Sequence, residues 1–385
     1  MKSRNRTKLR GLSLFANVGI AEALFSDIGI EIKVANEVDR KRADFYSAVY
    51  PETNMICGDI TDVEIRNKIV KDSIKEKVNF LIATPPCQGM SEAGKRSDFD
   101  ERNQLISYTI DVIKRVNPDY VLIENVPTLL KTKIIINGQI ILMPDYIKRE
   151  LETIYNFNSE TLVKAMDNGV PQMRQRNIYL LVKKSLKIVW KFPQKQKEIP
   201  LRVALSKVPS IDPLLREGKD FTLKVFPEYE KKKQKGLKVS KWHRPPLHSW
   251  KQVEWMLNTP SGKSAIYNEI HYPKKDNGEK IKAHHNNYRR MNWDKPSRTI
   301  TQNNGVISSL CCVHPGYPIQ KTKGVIVYSD PRVLTIYELL IVSTLPLDWP
   351  IPEWADETFI RKVIGEGIPS MLVKNIMLEL LNQIN

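Results

Sequence analysis

The sequence predicts an α/β protein: a mostly parallel sheet with helices on both faces, joined to a smaller loop-rich domain. Three observations predict it. From Leu9 to about Val182, short apolar runs alternate with longer segments whose apolar residues recur three and four apart. Strands alternating with amphipathic helices make parallel sheets. After Lys183 the alternation degrades into a stretch rich in Pro, Lys and Trp. The 385 residues are 41% hydrophobic and 27% charged, enough to bury a core and too apolar for a mainly disordered chain.

The expected strands cover residues 9–15, 31–36, 55–57, 78–83, 120–123 and 177–182. Between them, 20–28, 39–50, 62–71 and 105–116 have helical period. Regular structure returns at 335–345 and 369–381. A first domain is therefore expected over 1–186, completed by 358–385, with a smaller domain over 187–357.

Charge separates these regions. The chain has 60 Lys plus Arg against 43 Asp plus Glu, a net charge of +17, and most of the excess lies in 187–297. Five of the seven Trp (Trp190, Trp242, Trp250, Trp255 and Trp293) share that stretch with Lys231, Lys232, Lys233, Lys235, Lys238 and Lys241. Basic charge interleaved with aromatics points to a surface for phosphates and bases. For the lysine run alone, a solvated loop is an equal reading. Four Cys imply no disulfide framework, and no apolar run reaches the roughly 18–20 residues of a membrane span. A cytoplasmic protein with reduced thiols is expected. Cys311, Cys312 and His314 lack the paired spacing of a zinc site, so no metal is expected.

Open parallel sheets bind ligands beyond the carboxyl ends of their strands, and the informative residues follow strands here. The first strand runs into Ser13-Leu14-Phe15-Ala16-Asn17-Val18-Gly19-Ile20, a strand-to-helix turn. The second ends in Asn36-Glu37-Val38-Asp39, where a carboxylate can accept from ribose hydroxyls and Asp39 can cap a helix. Gly58-Asp59-Ile60 offers a further carboxylate. After the fourth strand comes Thr84-Pro85-Pro86-Cys87-Gln88-Gly89-Met90-Ser91, a rigid site suited to a held thiolate nucleophile. The fifth ends in Ile123-Glu124-Asn125-Val126-Pro127, where Glu124 is either a proton donor or one half of a structural pair with an Arg. Candidate arginines stand in Gln172-Met173-Arg174-Gln175-Arg176, where alternation puts Arg174 and Arg176 on one face.

In this order and at these spacings, Pro-Pro-Cys-Gln, Glu-Asn-Val and Gln-x-Arg-x-Arg resemble the cytosine-5 DNA methyltransferase family of bacterial restriction-modification type. Pro296-Ser297-Arg298-Thr299-Ile300-Thr301, His314-Pro315, Arg332-Val333-Leu334-Thr335 with Glu338, and Gly365-Glu366-Gly367-Ile368-Pro369 extend the likeness. The resemblance implies a Rossmann-like, S-adenosylmethionine-dependent fold with target recognition in 187–297. It implies that Cys87 adds to cytosine C6, Glu124 holds or protonates N3, Arg176 bonds O2, and Arg174 orients Glu124 or a phosphate. The target base would be flipped out of the duplex. For the cofactor it implies Phe15, Ala16, Asn17, Gly19 and Ile20 around the methionine part and Glu37 on the ribose. Val38, Asp59 and Ile60 would meet the adenine, Pro86 and Leu105 would line the pocket, and Gly367 and Ile368 would close it. S-adenosylhomocysteine would be the product. Gln88 and Ser91 would face DNA, with Lys231, Lys232 and Lys233 in the recognition region.

The chain departs from the family pattern at Ser13, Asn17, Ile20 and Glu366, which puts cofactor affinity in question. The resemblance further implies a monomer acting on double-stranded DNA, functionally paired with a restriction endonuclease and without membrane attachment. Two other functions fit fewer features: tRNA cytosine methylation, and a catalytically silent DNA-binding relative.

Overall fold

Consecutive residues of a strand point to opposite faces of a sheet, and here both faces are covered. The computed structural model describes residues 9–86, 101–136, 138–158, 160–320 and 326–384. Strands β1 (Leu9–Leu14), β2 (Ile30–Glu37), β3 (Asn54–Cys57), β4 (Phe80–Ala83) and β5 (Tyr120–Asn125) are parallel, in the spatial order 3-2-1-4-5. Helices α1 (Arg40–Val49), α2 (Val63–Lys75) and α3 (Leu105–Val116) follow β2, β3 and β4, with Asp39 and Asp62 capping the first two. Beyond β5, a hairpin of β6 (Lys133–Ile136) and β7 (Gln139–Leu142) leads into α4 (Met143–Leu151). Short strands β8 (Tyr155–Phe157) and β9 (Leu162–Lys164) pair with β10 (Gln175–Lys183), which runs antiparallel beside β5.

Leu81, Ala83, Val121 and Ile123 face a core shared with α2, α3 and α4. Phe80, Ile82, Tyr120 and Leu122 face a second core, closed by Leu372, Val373, Ile376, Met377 and Leu380 of the late helix α11 (Ser370–Ile384). The sheet therefore needs chain from both ends of the sequence.

One expected helix is absent. Residues 20–28 form turns and a short 3-10 segment, Ser26–Ile28. Phe15, Asn17 and Gly19 all take positive φ (57°, 50° and 79°), and Glu22 is pulled inward, where its carboxylate accepts from the Ser13 and Tyr46 hydroxyls. The apolar spacing that mimics a helix comes from a loop folded over its own side chains.

The region after β10 differs from the sequence reading in two ways. Leu186, Ile188, Trp190 and Phe192 pack on the sheet's second face, and Trp190 Nε1 donates to the Ile376 carbonyl at 2.9 Å, so the expected boundary at 187 falls inside that packing. The tryptophans are not a base-stacking array either: Trp190, Trp255 and Trp293 are buried, and Trp250 packs edge-on to Phe221. Large rings supply much of the core where strands are few.

That smaller core contains α5 (Leu201–Ala204), β11 (Leu214–Leu215), α6 (Lys219–Val225), α7 (Tyr229–Val239), β12 (Leu247–His248) and α8 (Trp250–Leu257). The ladder β13 (Pro318–Gln320) with β14 (Ile326–Tyr328), helix α9 (Ile336–Val342) and helix α10 (Glu357–Glu366) complete it. Arg332 and Arg290, both fully buried, organise it. Arg332 meets Glu338 at 2.7 and 3.0 Å and Asp330 at 2.8 Å. Arg290 donates to the carbonyls of Met256, His314 and Asp330. Glu338 also closes a capping box with Thr335 at the start of α9.

Candidate active site

The order 3-2-1-4-5 places the switch point between β1 and β4, where connections leave in opposite directions and an open sheet has its crevice. Phe15 follows β1 and Thr84 follows β4, and the Thr84 hydroxyl donates to the Phe15 carbonyl at 3.1 Å. Thr84 N–H also donates to Leu14 O. These bonds fix the entry to Pro85-Pro86. Cys87, Gln88 and Ser91 lie outside the described residues.

Glu124 reaches this crevice from the next strand. In the β5–β10 ladder Ile178 opposes Glu124 and Asn177 opposes Asn125, which carries Arg176 just past the end of β5. Arg176 Nε meets Glu124 Oε1 at 2.7 Å, with both side chains 11% exposed. Such a charge-assisted pair holds the carboxyl in a fixed orientation. Asn125 is the contributor that the sequence reading missed. Its amide donates to the Pro85 carbonyl at 3.3 Å while its oxygen accepts from Val126 N–H at 2.7 Å, so β5 braces the segment entering Cys87. Its place directly after Glu124 at a strand end was the available signal.

Arg174 does not share that arrangement. It precedes β10, and its guanidinium donates to the carbonyls of Ile300 (2.9 Å), Gly365 (3.1 Å) and Glu366 (2.8 Å). Its hydrogen bonds among the described residues therefore go to backbone, and it is buried with Glu124 close enough to act on its charge. Gln172 does related work from the same loop, donating to Val342 O and accepting from Ile300 N–H. Together they join the two parts of the chain beside Glu124.

The residues expected at the cofactor lie along the edge of β1, β2 and β3. Glu37 is buried and accepts from Asn17 N–H at 2.9 Å and Asp39 N–H at 3.0 Å, leaving carboxylate lone pairs for a further donor. Asn17 Oδ1 is buried without a hydrogen-bond partner among the described residues, an acceptor available to a bound group. Val38 is 61% exposed, apolar surface of the kind that covers a ring. Asp59 is exposed and caps its own turn through Thr61 N–H. Ile60, expected against the adenine, is 2% exposed in the core, so its side chain supplies floor rather than contact surface. Pro86 and Leu105 are half-buried, and Leu105 packs at the margin of the first core. Ala16 is tied by its N–H to Asn36 O. These residues suit a nucleoside cofactor with a polar tail.

The unusual residues compensate one another. A Cβ on Gly367 would come within 3 Å of Ile20, so the glycine accommodates the bulk that Ile20 adds, and Ile368 is buried beside it. Gly19 carries a φ of 79° while Tyr50 lies against it and donates to its carbonyl. Glu366, held above the usual carboxylate range by burial, pairs with Arg42 of α1 at 2.8 Å. Nothing at Arg42 in the sequence announced this partner.

The first three lysines of the run each have a carboxylate beside them. In α7, Lys231 pairs with Glu228 (3.0 Å), Lys232 with Asp212 (3.0 Å) and Lys233 with Glu230 (3.8 Å). Cys312 and His314 are buried too; burial pushes the thiol up to about 12 and the imidazole down to about 4.

A parallel sheet whose strand order turns back between β1 and β4, with a bridged Glu-Arg pair and the Pro85-Pro86 segment at its carboxyl edge, is the setting of a nucleoside-cofactor enzyme. The chain belongs to the C-5 cytosine-specific DNA methylase family, whose pattern matches residues 9–382. It is 43% identical over 383 residues to the Type II methyltransferase M1.HgaI of Avibacterium volantium, covering 98% of this chain and 99% of that one. It is 26% identical to the Type II methyltransferase M.Eco47II of Escherichia coli, covering 97% and 80%. In fold it is similar to a structure described as a DNA modification methyltransferase encoded within an Escherichia coli prophage (TM-score 0.68, 21% identity, 98% and 100% covered). The chain is a DNA cytosine-5-methyltransferase.

Proposed function

We propose that this enzyme methylates C5 of a flipped-out cytosine within one specific duplex sequence, using S-adenosylmethionine, as the modification partner of a restriction endonuclease. The buried Glu124–Arg176 bridge beside the braced Pro85-Pro86 segment carries the reading. C5 of cytosine is a poor nucleophile. Addition of the Cys87 thiolate at C6 converts the ring into an enamine, and Glu124, holding N3 or giving it a proton, lowers the cost of that addition. Arg176, already fixing Glu124, donates to O2. S-adenosylmethionine supplies the electrophilic methyl group when bound, with Glu37 on its ribose, Val38 and Asp59 at its adenine and Asn17 along its tail. Loss of the C5 proton and of the thiolate then restores the aromatic ring. The recognition region reads the sequence of the duplex, and the protein acts as a cytoplasmic monomer.

Transfer of labelled methyl to mixed-sequence duplex DNA and, in parallel, to total tRNA tests this reading. Label recovered as 5-methylcytosine in DNA is expected, and label confined to tRNA overturns it. Cys87→Ser should lower transfer by at least 10³-fold while DNA binding persists. Transfer at the wild-type rate would remove Cys87 as nucleophile.

A further inference from the structure

Lys231, Lys232 and Lys233 of α7 each pair with a carboxylate, whereas another basic cluster has no such partner among the described residues. His284 and His285 are exposed, with ring centroids 3.9 Å apart, and His284 Nδ1 accepts from Asn286 N–H. Asn286 O accepts from Cys311 N–H, which ties this turn to residue 311. Arg289 is half-buried at a bridge to Ser264, and Arg298 is exposed. Among the described residues, no carboxylate pairs with His284, His285, Arg289 or Arg298, whereas Lys231, Lys232 and Lys233 each have one.

Arg298 lies on the segment that pairs with the loop leading into β10. Ser297 N–H donates to Pro171 O, Met173 N–H donates to Ser297 O, and Ile300 is held by both Gln172 and Arg174. Two residues beyond Arg174 stands Arg176, on Glu124. The unneutralised cluster is thus connected to the crevice by one short piece of backbone. Like charges held together without a counter-charge repel one another and raise the potential of the surface around them; an anion placed among them relieves that repulsion.

We propose that His284, His285, Arg289 and Arg298 seat backbone phosphates of the DNA beside the catalytic crevice, a role the sequence pattern had placed on Lys231, Lys232 and Lys233. The proposal rests on duplex DNA being the substrate. The groups facing the His285 ring are His284, Arg289 and Arg298, and burial and these neighbours hold it below its ordinary value. The Cys311 thiol, which senses the same two arginines, is held up by burial and stays neutral. A phosphate among these groups reverses the repulsion and draws a proton onto the His285 ring, so DNA affinity rises as pH falls.

Binding of 30-bp mixed-sequence duplexes, measured against salt with S-adenosylhomocysteine present, tests the assignment. The R289Q/R298Q variant should bind at least tenfold more weakly at 0.1 M salt, equally for every sequence. Its slope of log affinity against log salt should be shallower by about 1 per charge removed. The K231Q/K232Q/K233Q variant should lose less than threefold. The gain in wild-type affinity between pH 8 and 6 should vanish in H284Q/H285Q. Thermal melting checks that each variant is folded. If wild-type protein binds duplex while R289Q/R298Q keeps its affinity and slope, the cluster assignment is overturned. A loss confined to one sequence would make these residues base readers and would equally overturn the phosphate assignment. Wild-type protein that binds no duplex would instead remove the reading of DNA as substrate.

Discussion

Two regions of this molecule bury carboxylates, and they do it in opposite ways. Under the β1 turn, Glu22 sits among neutral hydroxyls, Ser13 and Tyr46, and burial pushes it up to about 7. In the smaller core, Glu338 and Asp330 straddle Arg332. The cation holds Glu338 down at about 2 and Asp330 well below its usual range, against the cost of burial. The first arrangement tolerates the acid only in its neutral form at no electrostatic cost. The second requires the charge. The difference follows from architecture: the sheet can close its core with apolar side chains on both faces, whereas the small region has two-residue strands and short helices and is joined by ion pairs and arginine-to-carbonyl bonds.

The sharpest way to break the comparison is to remove the central cation. Arg332→Met leaves two buried carboxylates unpaired and should destabilise the protein by about 3–5 kcal/mol or more, read by urea denaturation. A change under 1 kcal/mol would mean that the carboxylates simply take up protons or water.

Next comes the pH dependence, whose sign differs between the regions. The folded-state value of Glu22 lies above its unfolded value, so its stabilising contribution is complete below about 4.5 and is lost as pH rises through about 7. The span corresponds to about 3 kcal/mol as an upper figure. Glu22→Gln should therefore flatten the decline of stability between pH 5 and 8. Glu338 is the reverse case, its contribution being present above about 4.5 and lost as pH falls through about 2. His314, kept neutral by burial down to about 4, adds a loss that begins as pH falls below about 6.5. Between about pH 4.5 and 6.5 the Glu22 and His314 contributions oppose each other, so a melting temperature that falls more steeply on acidification in Glu22→Gln than in wild type would establish the contrast. The smallest effect belongs to the partly buried Arg42–Glu366 bridge, where Arg42→Gln should cost about 1 kcal/mol.

The same contrast explains what could be read from the sequence. Residues 80–83 and 120–123 are continuous apolar runs because both faces of those strands are buried, so the sheet was legible. Glu124 and its arginine were legible because a strand end and its antiparallel neighbour bring them together, although only Arg176 makes the pair. The carbonyl partners of Arg174 were not legible, because a carbonyl leaves no mark in a sequence. The 20–28 segment and the tryptophans misled for a related reason: apolar spacing reports burial, and burial in a loop or a small core has the same spacing as an amphipathic helix or an aromatic patch. The partner of Lys232 was hidden because Asp212 lies 20 residues away in sequence.

Helix α11 has a consequence for the order in which this protein can be made. Its apolar side covers the second face of the sheet, yet it leaves the ribosome long after Lys183 has completed β10. At about 5–20 residues per second, Phe80, Ile82, Tyr120 and Leu122 wait on the order of 10 s or longer for their lid. During that interval the nascent chain carries an uncovered hydrophobic plane, a natural binding place for chaperones and a point at which slowed translation would favour aggregation over enzyme.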